Sequence, residues 1–153
     1  MILLLALLIG VVAGLRAMTA PAVVSWAAYL GWIDLSGSSL SFLGHWITPW
    51  IFTILAIVEL VTDQLPSTPS RKVPMQFGAR IVMGALTGAA LGASGGMLVG
   101  GLIAGIVGAV IGTLGGRAFR ARLAAAFGSD PPAAFIEDAV AILGALLIVI
   151  ALP

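Results

Sequence analysis

Four carboxylates and one arginine stand where an apolar chain has least use for them. Glu59 and Asp63 close the hydrophobic run "IVELVTD", Glu137 and Asp138 stand in "FIEDAVAI", and Arg16 interrupts the first run in "GLRAMTAP". Glu59 and Asp63 are four residues apart and share a helical face. An unpaired carboxylate within a membrane span costs about 2–3 kcal/mol or more, so such groups are expected to converge on a shared polar site. Converging carboxylates can coordinate a cation or a small polar solute. They can also hold a divalent metal, with arginine as an anchor for phosphate. Arg16, Arg80 and Arg117 are the candidate counter-charges, and Arg16, Glu59 and Asp138 can instead form a buried ion-pair network that holds the bundle. Counted at ~1.5 Å per residue, Glu59, Glu137 and Asp138 each lie about 9 Å into their segments from the same side.

The elements that carry these residues follow from composition. Of 153 residues, 61% are hydrophobic and 8% charged, against roughly 25% charged in a soluble domain. The mean hydropathy is +1.19. The chain is expected to be one all-α integral membrane domain over residues 1–153. The net charge of +1 gives no argument for nucleic acid, and the absence of cysteine excludes disulfides and thiolate sites. His45 is the only histidine and cannot alone form a multi-histidine metal site. No cofactor is required beyond a possible divalent cation on Glu59, Asp63, Glu137 and Asp138.

About five membrane segments are expected. The first begins at Ile2, lacks the basic start of a secretory leader, and is expected to remain as a helix. It is broken or kinked near Arg16–Pro21, where proline interrupts the hydrogen-bond ladder. The second runs from Ile47 to Leu65, the third from near Phe77 to the glycines at 92–96, and the fourth from Met97 to about Gly116, continuing to Leu123. The fifth runs from about Pro132 to Leu152, after a start signal in "GSDPP". Between the second and third, Pro66, Ser67, Thr68 and Pro69 form a locally rigid segment that can act as an ordinary turn or fold over the carboxylates as a gate. Trp26, Tyr29, Trp32, Trp46 and Trp50 read as interfacial anchors, and Asp34 and His45 as loop residues.

Basic residues set an expected orientation. Arg71, Lys72 and Arg80 flank one loop, and Arg117, Arg120 and Arg122 another. With five spans these loops share a side, which puts the N-terminus in the cytoplasm and the C-terminus outside. Gly84, Gly88 and Gly92, Gly101 and Gly105, and Gly108, Gly112 and Gly116 recur every fourth residue, the spacing of close helix contacts in lipid. A homodimer packed through these faces is expected. "GLRAMTA" and "GGRAFRA" are faintly alike, and each precedes an acid-bearing helix, a weak sign of an inverted repeat.

The combination "GLRAMTAP", "ELVTDQLPSTPSR" and "FIEDAVAI" resembles the domain of unknown function 4126, a family of small bacterial multi-pass membrane proteins. The resemblance covers nearly the whole chain and rests on Gly14, Leu15, Arg16 and Ala17, on Glu59, Asp63 and Pro66, and on Glu137 and Asp138. It implies a membrane location, with an inner-membrane setting expected, and no activity.

The leading functional expectation is a transporter or channel-like protein that moves a cation or small solute past Glu59, Asp63, Glu137, Asp138 and Arg16. One alternative is a membrane-embedded, metal-dependent enzyme acting on a lipid phosphate, which no recognised catalytic motif supports. Another is a scaffold or accessory subunit whose charges pair with a partner helix.

Overall fold

The computed structural model describes residues 2–35, 40–62, 74–128 and 130–151. These form α1 (Ile2–Leu15), α2 (Thr19–Tyr29), a short 3-10 turn (Ser41–Gly44), α3 (Thr48–Thr62), α4 (Pro74–Ser94), α5 (Leu98–Phe127) and α6 (Asp130–Ile150). No strand occurs among the described residues.

The glycines build the centre. α5 lies between α1 and α4, and the backbones meet directly. A Cβ placed on Gly84 would sit 2.7 Å from the Gly105 carbonyl oxygen, and one on Gly14 would sit 2.5 Å from the Ala109 carbonyl oxygen. Gly88 and Gly92 close on Gly101 and Gly105, while Gly108 and Gly112 close on Leu7 and Val11. Every glycine of these pairs packs within one chain. The four-residue spacing therefore serves helix packing within the chain, the first of the uses read from the sequence.

The pairings also fix directions. Gly10 meets Gly105 and Gly14 meets Ala109, so α1 and α5 are parallel. Gly84 meets Gly105 while Gly92 meets Met97 and Gly101, so α4 is antiparallel to α5. Gly144 approaches Val12 while Glu137 reaches Arg16, so α6 runs against α1.

The first apolar segment is broken near Arg16–Pro21, one of the two forms expected for it. Its last α1 bond runs from the Arg16 amide to the Val12 carbonyl, and α2 begins at Thr19. The chain then reverses. Ile2, at the start of α1, shares a cavity with Gly31 and Trp32, just past the end of α2, and packs near Gly95. α1 and α2 are thus a helical hairpin with its tip at residues 16–18. Pro21 sits in the first turn of α2, where its missing amide removes no helical bond. It favours the start of α2 instead of kinking one long helix. A consequence is that the first residues of α1 and the last of α6 lie at one end of the bundle.

The two stretches that looked alike take different local forms. "GLRAMTA" holds the hairpin tip, whereas "GGRAFRA" lies within the unbroken α5.

α3 is the outlying helix and leans chiefly on α2. Trp26 donates its indole N–H to the Thr53 hydroxyl at 2.8 Å and meets Trp50 edge-on at 5.2 Å. Tyr29, Trp32, Trp46 and Trp50 are exposed near this end of the hairpin. Elsewhere the outer surface is aliphatic, with Ile54, Val61, Val99, Ile103, Leu147 and Ile150 all more than half exposed. Two stretches, Phe77–Ser94 and Leu98–Leu123, are long and apolar enough to cross a membrane.

Candidate functional site

Breaking a helix inside an apolar bundle leaves carbonyls at the end of α1 and amides at the start of α2 without helical partners. The charges seen in the sequence gather at these groups. Arg80, on α4 and 3% exposed, donates through Nη1 to the carbonyls of Gly14 and Leu15, both at 2.8 Å. Arg16 donates through Nη1 to the Leu15 carbonyl at 2.9 Å, and the Thr113 hydroxyl of α5 lies 3.4 Å from the Gly14 carbonyl. Two guanidinium groups thus stand at the negative end of α1.

The amides on the other side of the break meet a carboxylate. The Ala17 N–H donates to Glu59 Oε2 at 2.9 Å and the Met18 N–H to Oε1 at 3.0 Å. Both oxygens are engaged, one amide each, at the positive end of α2. Glu59 is half-buried and belongs to α3, so this contact also ties the outlying helix to the hairpin tip.

Arg16 is fully buried and faces α6. Its Nε donates to Asp138 Oδ1 at 2.6 Å and its Nη1 to Glu137 Oε1 at 2.6 Å; Nη2 pairs with Asp138 Oδ1 as well. Adjacent helical residues point about 100° apart, yet the fork of one guanidinium reaches both carboxylates. Glu137 is 1% and Asp138 9% exposed. A pair this deep requires mutual compensation, because desolvating either charge alone costs several kcal/mol.

The structure therefore brings together Arg16, Glu59, Glu137 and Asp138 around the tip. It adds Arg80, which the sequence offered as a counter-charge, and Thr113, whose apolar-helix context gave no signal. Arg117 is exposed on α5 and does not join them. Asp63, Arg71, Lys72 and the segment Pro66, Ser67, Thr68 and Pro69 lie outside the described residues. Asp34 and His45 are exposed loop residues. They line a cavity of about 690 Å³ with Ala28, Gly31 and Ser41, at the end of the bundle away from the tip. Among the described residues no three acidic or imidazole side chains group to hold a metal ion.

An all-helical bundle with an apolar exterior, helices that can cross a membrane and a charged hairpin tip in its core defines the class of protein. The chain belongs to the family described as domain of unknown function (DUF4126), whose model matches residues 3–153. No curated protein and no solved structure matches it.

Proposed function

We propose that this protein is a membrane transporter or channel-like protein that moves a cation or small solute past the tip of the α1–α2 hairpin. The observation that carries the reading is the tip itself. Non-helical backbone is tolerated at membrane depth only where protein or a water-filled cavity surrounds it. Transporters commonly place their sites at such half-helix ends. Here the ends of two half-helices meet Glu59 from α3 and Arg80 from α4, and Arg16 between them pairs with Glu137 and Asp138 from α6. Counted at ~1.5 Å per residue, Arg80 lies about 9 Å from the first residue of α4 and about 21 Å from its last. That depth suits alternate access from either side.

In this reading α3 to α6 cross the bilayer and α1–α2 enters and leaves from one side. Exposed Arg117 and Arg122 then mark the cytoplasmic face. Both ends of the described chain lie on the opposite face, in place of the split arrangement expected for five spans. Fluorescent and periplasmic-enzyme reporters fused in turn to each end test this. Both fusions are expected to report the non-cytoplasmic side, and reporters on opposite sides would remove the re-entrant hairpin.

A second reading has support of its own. The bonds from Glu59 to the Ala17 and Met18 amides, and from Arg80 to the Gly14 and Leu15 carbonyls, all serve helix ends, as a purely structural network would in a scaffold or accessory subunit. Glu59→Gln separates the two. It retains an oxygen acceptor for one amide and removes the charge. For a transporter, liposome flux of a cation or solute should fall at least about tenfold, equivalent to about 1.4 kcal/mol, with little change in melting temperature. A scaffold shows the reverse, with a lowered melting temperature and no flux in either form.

A further inference from the structure

α5 is longer than a bilayer requires. Its 30 residues extend ~45 Å at ~1.5 Å each, against a hydrocarbon layer of about 30 Å. With Leu98 at one boundary, the other is reached about 20 residues on, close to Arg117. The last part of α5 then lies at headgroup level. It holds Arg117, Arg120 and Arg122, and the helix has no acid. Arg117 and Arg122 are exposed, and neither makes a hydrogen bond or ion pair with a described residue.

These two arginines continue the outward face of the helix. Val99, Ile103, Val107, Ile111 and Leu114 are all exposed. At ~100° per residue they occupy one arc of about 120°. On the same count Arg117 and Arg122 stand about 140° apart, at the two margins of that arc, with the exposed Ala118 and Ala121 between them. Gly115, beside them, has open space where a Cβ would stand. At headgroup level, large aliphatic side chains therefore give way to a shallow floor with an arginine on each side. The two are ~7.5 Å apart along the axis, a gap that two long, flexible side chains can close on one phosphate.

The charge and the stripe together select the occupant. A second copy offering the same face would bring four guanidinium groups together. A free anion would use the arginines and leave the apolar stripe uncovered. An anionic phospholipid matches both parts. We propose that Arg117 and Arg122 bind the phosphate of an anionic phospholipid whose acyl chain lies along the outward stripe of α5, residues 99–114. This goes beyond the transport reading and needs only that α5 crosses the bilayer. Such a lipid sets the depth at which α5 sits, and with it the depth of the hairpin tip that packs on α5 through Gly14.

The test uses the full chain in a neutral detergent. It is titrated with dioleoyl phosphatidylglycerol or with dioleoyl phosphatidylcholine, which has the same chains and no net charge. Native mass spectra measure bound lipid, and melting temperatures confirm that each variant is folded. Phosphatidylglycerol is expected to fill one saturable site, and phosphatidylcholine to bind at least about tenfold more weakly. Arg117→Gln and Arg122→Gln should each weaken phosphatidylglycerol binding about fivefold, and together about thirtyfold, the effect of about 1 kcal/mol per basic residue. Both side chains are exposed, so the melting temperature without lipid should stay at the parental value. The pair Arg71→Gln and Lys72→Gln removes the same charge elsewhere in the chain and should leave the affinity unchanged. Equal binding of the two lipids overturns the proposal, as does an equal loss in the Arg71 and Lys72 variant or an undiminished affinity in the Arg117 and Arg122 variant. Inorganic phosphate that displaces the lipid at equal concentration would overturn it too, because the stripe would then contribute nothing. Solute flux in liposomes that survives the loss of lipid binding would keep transport and remove only this site.

Discussion

Arg16→Met is expected to remove a large share of the protein's stability. The side chain is fully buried, and its guanidinium is the shared partner of Glu137 and Asp138. Without it, two adjacent buried carboxylates lose the cation they share. Deleting one partner of a buried pair costs about 3–5 kcal/mol, against a total stability of about 5–15 kcal/mol for a typical protein. The Leu15 carbonyl would also lose one of its donors, though Arg80 still reaches it. Arg16→Lys should fall between, because an ammonium is a point charge and cannot bridge Asp138, Glu137 and the Leu15 carbonyl with a fixed fork. The informative variant is the triple change Arg16→Met, Glu137→Gln, Asp138→Asn. It removes the three charges of the Arg16–Glu137–Asp138 group at similar volume and should recover part of the lost stability, since neutral amides cost less to bury unpaired than carboxylates. Size-exclusion profiles and thermal melts in a mild detergent measure all three. A parental melting temperature for Arg16→Met alone would show that the network does not hold the hairpin.

The contrast between Arg16 and Pro21 shows how far the sequence could be followed. Pro21 is a local signal, and it marks correctly that the ladder stops nearby. A local signal carries no direction, so a kinked helix and a reversed hairpin are equally compatible with "GLRAMTAP". The reversal is decided by contacts distant in sequence: Glu59 on the amides of Ala17 and Met18, Arg80 on the carbonyls of Gly14 and Leu15, and Ile2 against Gly95. The acids were legible because carboxylates within apolar runs are costly and must be compensated. Their partners were not all legible. Equal depth drew Glu59 toward Glu137 and Asp138, yet Glu59 binds backbone amides, which have no side-chain signature. Arg117 and Arg80 both border apolar runs, and only the helix rotation fixed by glycine packing separates the buried arginine from the exposed one. The glycine spacing likewise revealed close contact without naming the partner. Helices of the same chain and of a second copy satisfy it equally well.

The second large effect lies where the three central backbones come closest. Gly105→Leu is expected to prevent assembly of α1, α4 and α5. A Cβ on Gly105 would overlap the Gly84 carbonyl oxygen and come within 3.0 Å of the Gly88 Cα, while Gly10 already rests on the Gly105 backbone from the other side. These neighbours are backbone atoms, which cannot turn away as a flexible side chain would. Even Gly105→Ala must separate α4 from α5, and overpacking of this kind costs about 1–3 kcal/mol, occasionally more. Leucine adds three further carbons to the same gap. The displacement would reach the hairpin tip, because Gly14 packs on Ala109 and Thr113 one to two turns farther along α5. Gly115→Ala is the control. It lies on the same helix with open space around its Cβ position, and replacing a helical glycine by alanine there should stabilise by roughly 0.5–1 kcal/mol. Melting temperatures of the purified variants in one detergent are expected to fall in the order Gly115→Ala, parent, Gly105→Ala, with no monodisperse Gly105→Leu recovered. If Gly105→Leu melts like the parent, α1, α4 and α5 do not meet through these glycines, and their parallel and antiparallel pairings lose their basis.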